Sequence, residues 1–301
     1  MDIINLLPEH IANQIAAGEV IQRPASVVKE TLENSIDSGA SEIQLIIKDA
    51  GKTLIQIIDN GCGMSNNDVE KCFLRHATSK IKKANDLFAI QTMGFRGEAM
   101  ASIASISHVE LDTKLHDKEL GTKIIIEGGN IKRKTEHNCK SGTSIKIKNI
   151  FFNIPARRKF LKSDNVEMRH IIEEFSRIAL SNPNCKMQLI HNEKELFYLE
   201  ENNFRQRIVS VIGLKNNEHL VPISENTDLV KIDGFICKPE YAKKSRGEQY
   251  IFVNKRYIKN YQIQSSISRA FEGLISEKYY PSYFINLTID PERIDVNIHP
   301  T

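Results

Sequence analysis

The sequence predicts an α+β fold: helices layered on one face of a mixed sheet, followed by a smaller α/β unit. Three observations carry that expectation. A helix-periodic segment opens the readable pattern, strand-like segments separated by turn residues follow it, and a strand–helix–strand unit lies near the end. The 301 residues suffice for two domains of ordinary size, with 1–204 expected to form one and 205–301 the other.

The first helix is expected from about Pro24 to Ser38. Proline suits a first helical position, and Gly39 follows where helix C-termini commonly close. Val28, Leu32 and Ile36 make one face, while Glu30, Asn34 and Asp37 fall on another. Strands at Glu42–Lys48 and Thr53–Asp59 flank Asp49-Ala50-Gly51-Lys52, which reads as a hairpin turn. Ser65 to Asp68 offers a capping-box start for a short helix. Gly94–Glu98 opens another helix, in which Ala99, Met100, Ile103 and Ile106 imply burial. Strands are expected at about His108–Asp112, Lys123–Glu127 and Ser144–Lys148, and a helix at about Val166–Leu180. From about Arg205 come strands at Lys231–Cys237 and Tyr250–Val253, a helix around Gln262–Ile275 and a strand at Ser282–Ile289.

Composition narrows the function classes. A hydrophobic fraction of 41% with 26% charged residues is ordinary for a globular protein, and no run approaches the ~18–20 apolar residues of a membrane helix. The N-terminus lacks the basic start and apolar run of a secretory signal. Five cysteines without a C-x-x-C pair point to reduced thiols in a cytoplasmic protein, not to a disulfide framework or a zinc site. A net charge of +3 neither demands nor excludes nucleic acid, so local clustering must decide.

Four short motifs carry chemistry. Glu30 and Asn34, at i and i+4, set a carboxylate beside an amide oxygen on one helix face. The carboxylate can deprotonate a water and the amide oxygen can ligate a hard cation, although the same spacing suits a solvated polar face. Asp59-Asn60-Gly61-Cys62-Gly63 ends an apolar strand with an acceptor for an exocyclic amine and two residues that let backbone approach a ligand; it also reads as a plain strand-ending turn. Gly94-Phe95-Arg96-Gly97-Glu98 at a helix start exposes N–H donors to an anion. Thr78-Ser79-Lys80 adds two hydroxyls and an ammonium suited to phosphate oxygens, and Gly142-Thr143 heads a strand.

Order and spacing together make the sequence recognisable. AAGEVIQRPASVVKETLENSIDSG at 16–39, DNGCGM at 59–64, RHATSK at 75–80 and GFRGEAM at 94–100 closely resemble the MutL family of DNA mismatch-repair proteins. NIPARRKFL at 153–161 and DVNIHP at 295–300 match it too. That family belongs to a wider ATPase superfamily with gyrase-type topoisomerases, a heat-shock chaperone and histidine kinases. The resemblance implies a two-layer α/β sandwich that binds ATP with Mg²⁺, then a domain resembling the second domain of ribosomal protein S5. It implies Glu30 as general base, Asn34 as the magnesium ligand and Asp59 as the reader of the adenine amine. Gly61, Gly63 and Met64 would stand at the base of an ATP lid, with Asp37 close to the nucleotide. Thr78, Ser79, Lys80, Gly94, Phe95, Arg96, Gly97 and Glu98 would hold the phosphates, with Thr143 near the adenine. Two positions depart from the pattern: Ser38 replaces a usual alanine and Met100 a usual leucine.

Between Lys238 and Arg269 eight basic residues face two acidic ones, a net charge of +6, with Tyr241, Tyr250, Tyr257 and Tyr261 interleaved. A phosphate-binding groove and a solvated face both fit that composition. The resemblance favours sequence-independent DNA binding through Lys243, Lys244, Arg246, Arg256, Lys259 and Arg269. It also implies a homodimer formed on ATP binding, a MutS-type mismatch-recognition partner and a downstream nuclease or helicase. The family pattern continues past Thr301 to a lysine that reaches the γ-phosphate, so this chain is expected to be a fragment that hydrolyses ATP weakly. Two other readings are a nucleotide-gated scaffold with incidental hydrolysis and the ATPase region of a type II topoisomerase. PARRKFL and GFRGEA argue against the latter.

Overall fold

The computed structural model describes residues 9–81, 83, 86, 92–94 and 97–294. They divide into two compact units, one drawn from residues 1–81, 92–175 and 185–200, the other from 82–91, 176–184 and 201–301. Phe95, Arg96 and the 295–301 segment lie outside the described residues.

The first unit is built on an eight-stranded mixed sheet. Its strands are β1 (Glu42–Lys48), β2 (Leu54–Asp59), β3 (His108–Lys114), β4 (Gly121–Glu127), β5 (Asn130–His137), β6 (Gly142–Lys148), β7 (Lys186–His191) and β8 (Lys194–Leu199). Their order across the sheet is β5-β4-β3-β6-β2-β1-β7-β8, and only β1 and β7 pair in parallel.

Strand alternation and register together explain why one face is covered. Leu189, Leu45, Ile57, Ile145, Leu111 and Ile124 lie directly opposite one another, forming one row across six strands. Ile47, Ile55, Ile147, Val109 and Ile126 form a second row. All eleven are buried, at roughly 1.5–3 kcal/mol of transfer free energy each. The next row toward the strand ends turns polar: Asp59, Thr143, Thr113 and Thr122. That change along one face places the site.

Among the helices are α1 (Glu9–Val20), α2 (Pro24–Asp37), α3 (Asp68–Lys71) and α4 (Ala99–Ser105). Helix α1 packs on α4, and α2 packs on β2 and α4. The buried side of α2 is Pro24, Ala25, Val27, Val28, Thr31, Leu32 and Ser35, broader than the expected Val28–Leu32–Ile36 line, and Ile36 is only partly buried. Short α3 begins beside a Ser65 hydroxyl that accepts from Asp68 N at 3.2 Å. The basic run Arg157, Arg158 and Lys159 reads as a loop in the sequence, but it forms helix α5 (Pro155–Phe160). Arg157 there donates to the Ile21 carbonyl at 3.3 Å and fills the space beside Gly18, so it holds the end of α1.

The second unit has a five-stranded sheet in the order β12-β11-β13-β10-β9. These strands are β9 (Leu220–Asn226), β10 (Lys231–Cys237), β11 (Gln249–Val253), β12 (Arg256–Tyr257) and β13 (Tyr283–Thr288). After α6 (Asp164–Ser181), helix α7 (Phe204–Ile212) contributes Ile208 and Val209 to a core with Leu220, Phe252 and Phe284. Helix α8 (Tyr261–Ala270), shorter than expected, packs Ile263 and Ile267 against Ile251, Tyr283 and Ile285. It bridges β11 and β13, which pair in parallel, so the expected strand–helix–strand unit is present.

Arg207 of α7 is fully buried, and its guanidinium donates to the carbonyls of Pro183 at 2.8 Å and Ala179 at 3.4 Å. Arg207→Ala is expected to destabilise the fold by roughly 2–5 kcal/mol, through the cavity and the unpaired carbonyls. Chemical denaturation of the variant checks this; an unchanged midpoint would contradict it.

Candidate functional site

Helix α2 points two groups of polar side chains at two neighbouring sets of partners. From one turn, Ser35 Oγ donates to Asp59 Oδ2 at 2.8 Å, and Gly61 N donates to the other carboxylate oxygen at 3.0 Å. Burial holds the Asp59 carboxyl above its ordinary range, against hydrogen bonds from Ser35 and from the Gly61 and Thr143 backbone that pull it down. A carboxylate kept in a half-buried polar row at that cost is a candidate ligand acceptor.

The chain after Asp59 is shaped by close contacts. Cys62 N donates to Ser38 O at 3.0 Å, and His116 Nε2 lies 2.9 Å from Gly61 O. A Cβ on Gly61 would stand 1.8 Å from the Ser38 hydroxyl oxygen, so a side chain here would displace Ser38. Gly63 has φ +69°, and a Cβ there would meet the Lys114 carbonyl at 2.2 Å. Met64 N then donates to Thr113 Oγ1 at 3.0 Å. That hydroxyl also bonds Gly142 O at 2.9 Å and lies 3.1 Å from Thr143 Oγ1. Thr113 and Ser35 went unnoticed in the sequence. The alternation Val109–Leu111–Thr113 and the buried side of α2 are the signals that could have found them.

The second group surrounds an ammonium. Lys80 Nζ donates to Asn34 Oδ1 at 2.8 Å and to Asp37 Oδ2 at 2.6 Å, the Lys80 and Asp37 side chains being largely buried. Asp37 also accepts from Met93 N at 2.8 Å and Gly94 N at 3.0 Å. Lys80 N in turn donates to Thr78 Oγ1 at 3.1 Å, and Ser79 is exposed. Gly97 lies against the Ala77 backbone, and Glu98 meets His76 at 3.5 Å. Lys80, Met93 and Gly94 therefore meet on α2, and Gly97 and Glu98 lie beside Ala77 and His76. Glu30, on the same helix one turn before Asn34, has Lys29 as an ion partner at 3.8 Å.

A magnesium ion fits this donor set. Asn34 and Asp37 aim two oxygens at one cationic position, now taken by the Lys80 ammonium. Mg²⁺ characteristically takes one or two protein oxygens and completes its shell with water and phosphate.

In the second unit Lys244, Arg246, Lys259 and Arg269 are exposed, Arg256 is partly buried, and Lys243 is paired with Glu248. Arg246 lies over the Tyr280 ring at 4.7 Å.

Two family models match the chain. One, described as a histidine kinase-, DNA gyrase B- and HSP90-like ATPase, spans residues 22–154. The other, the C-terminal domain of DNA mismatch repair proteins, spans 208–301. Among curated relatives, the DNA mismatch repair protein MutL of Christiangramia forsetii is 61% identical over 300 residues, covering 100% of this chain and 49% of its own length. That of Flavobacterium psychrophilum is 60% identical over 299 residues, covering 99% and 49%. The chain thus spans about half the length of the curated relatives it matches. Among solved structures, the Aquifex aeolicus MutL ATPase domain complexed with ADP aligns at a TM-score of 0.70 with 25% identity, covering 94% of this chain and 100% of that one. The N-terminal domain of a DNA repair protein aligns at 0.81 with 26% identity, covering 96% and 90%.

Proposed function

The chain belongs to the MutL family of DNA mismatch-repair proteins, and from that premise we propose that residues 1–204 bind and hydrolyse ATP with Mg²⁺ as a conformational switch, while residues 205–301 transmit the switch and contact DNA. The observation that carries this reading is the convergence on α2 of a half-buried amine acceptor, Asp59, and a cationic position, Asn34–Asp37–Lys80. Adenine's exocyclic amine donates to Asp59 Oδ, with Thr143 beside it. Thr78, Ser79 and Lys80 hold the phosphates together with the Gly94–Glu98 motif. Magnesium, when bound by Asn34, offsets charge on the phosphate oxygens. Glu30 orients the attacking water and accepts its proton. In the full-length protein, nucleotide binding closes the lid and pairs two copies, which then engage a MutS-type protein and a downstream nuclease or helicase.

Cys62 gives a direct test, because its exposed thiol sits between Gly61 and Gly63. Cys72 is its internal control, since burial pushes that thiol up to about 12 and so disfavours the reactive thiolate at neutral pH. Alkylation is expected to label Cys62 readily and Cys72 slowly, with saturating ATP protecting Cys62. Cys62 labelling that ignores ATP would overturn the placement of the nucleotide.

DNA contact makes a separate expectation. Affinity should fall with salt at a slope of roughly −0.9 per neutralised duplex phosphate, and Arg269→Glu should weaken every DNA sequence alike. A salt-insensitive affinity would leave the basic segment as a solvated face.

A further inference from the structure

The Lys80 ammonium stands where the oxygens of α2 call for a cation, and its contacts show how it is kept there. Asn34 and Asp37 lie three residues apart on that helix, so their side chains fall on one face. Lys80 Nζ bridges them, at 2.8 Å from Asn34 Oδ1 and 2.6 Å from Asp37 Oδ2. The turn that delivers the lysine is closed by Thr78 Oγ1, which accepts from Lys80 N at 3.1 Å. Only 6% of the Asp37 side chain and 17% of the Lys80 side chain is exposed, so water screens this pair far less than a surface ion pair. A carboxylate this covered requires a positive partner.

Asp37 divides its two oxygens between different tasks. Oδ1 accepts from Met93 N at 2.8 Å, while Oδ2 accepts from Gly94 N at 3.0 Å and from Lys80. The two backbone N–H groups hold the carboxylate independently of the ammonium. Gly94 borders the whole cluster: a Cβ there would stand 3.2 Å from Lys80 Nζ, 3.8 Å from Asn34 Oδ1 and 4.0 Å from Asp37 Oδ2. All three polar groups therefore meet a residue without a side chain, at the start of the segment expected to hold phosphate. An ammonium and a divalent ion cannot share these two oxygens, because like charges that close repel strongly where water is excluded.

We propose that Lys80 is an internal counter-ion, which closes the Asn34–Asp37 position to free divalent cations and cedes it to a cation arriving with a polyphosphate. The proposal rests on the reading of this site as one for nucleotide with magnesium, and adds how the two enter. Lys80 leaves Asn34 and Asp37 only for a partner of equal strength, and phosphate oxygens are such a partner. The two freed oxygens are then available to the accompanying divalent ion. Free metal offers Lys80 no such partner, so the site loads with the metal–nucleotide chelate.

The test titrates Mn²⁺, which shares magnesium's preference for oxygen ligands, in the absence of nucleotide, with free Mn²⁺ read by electron paramagnetic resonance. The chains compared are the wild type, Lys80→Met, and Lys80→Met combined with Asp37→Asn. The wild type is expected to bind weakly. Lys80→Met should gain a one-to-one site at least roughly ten-fold tighter, melt below the wild type without metal, and recover when Mn²⁺ is added. Adding Asp37→Asn should abolish the gained site. A merely structural lysine would lower stability without creating a metal site. Lys80→Gln, which keeps a neutral donor, makes the same comparison if the methionine variant does not fold. A gained site that survives Asp37→Asn, or a wild type that binds Mn²⁺ as tightly as the variants, would overturn the proposal. If no variant gains a site while Mg²⁺ still tightens ATP binding to the wild type, the counter-ion role fails and the magnesium reading stands. If no variant gains a site and ATP binding is indifferent to Mg²⁺, the reading of the site itself fails.

Discussion

Glu30→Ala is expected to lower ATP turnover by roughly 10²–10⁴-fold while leaving nucleotide affinity close to that of the wild type. The expectation follows from where Glu30 sits. It shares α2 with Asn34 but takes no part in the Lys80–Asp37 cluster or in the hydrogen bonds around Asp59. Removing its carboxylate therefore leaves the binding apparatus standing and takes away only the acceptor for the water's proton. Glu30→Gln should be nearly as slow, because the amide keeps the shape and loses the basicity. Single-turnover hydrolysis with a parallel binding titration checks this. Turnover unchanged by Glu30→Ala would remove the general-base assignment, and equal losses of binding and turnover would make Glu30 a ligand-positioning group instead.

Asp59→Asn should act the opposite way, on affinity before rate. The asparagine can still accept from Gly61 N, and its amide can donate to Ser35, so the local structure survives. It offers the adenine amine no free charged acceptor. Loss of a hydrogen bond to a charged group corresponds to roughly 10–150-fold in nucleotide affinity. Stability should move the other way. Burial raises the Asp59 carboxyl above its ordinary value. Its protonated form therefore favours the fold at low pH, and that contribution is lost as pH rises through the raised value. At neutral pH the ionised carboxylate is a cost that asparagine relieves, so the apo variant should melt no lower than the wild type. Nucleotide binding needs the ionised form and should weaken as pH falls through the same value. A variant that binds ATP normally would remove Asp59 from the adenine site. One that melts well below the wild type would mark the carboxylate as a structural group.

Much of the site was legible because its motifs are local. Glu30 and Asn34 share a helix face by spacing, and Asp59 ends an apolar strand whose alternation fixes its face. What the sequence hid was register. Nothing local says that Asp59 lies opposite Thr143 and Thr143 opposite Thr113, yet that register sets three polar side chains in one row. Lys80 and Asp37 likewise meet only through the folded loop. Strand β5 is hard to read in the sequence because Ile131, Lys132 and Arg133 are all exposed and lack the alternation of a half-buried strand. They lie at the sheet edge, where charge discourages further pairing. Helix α5 reads as a loop in the sequence because its six residues bury no apolar face. In the second unit, composition showed the basic segment but could not separate exposed Lys259 from Lys243, which is paired with Glu248. Nor could it distinguish Tyr261 from the covered ring of Tyr257.

The central claim is that this fold holds adenine by its amine, against Asp59, with magnesium at Asn34. The most direct measurement is a calorimetric titration of the wild-type chain with ATP and with inosine triphosphate, which lacks the amine, each with and without Mg²⁺. One ATP should bind per chain, more tightly with Mg²⁺, and the inosine nucleotide should bind at least ten-fold more weakly. Equal affinity for the two nucleotides, or ATP binding indifferent to Mg²⁺, would contradict it.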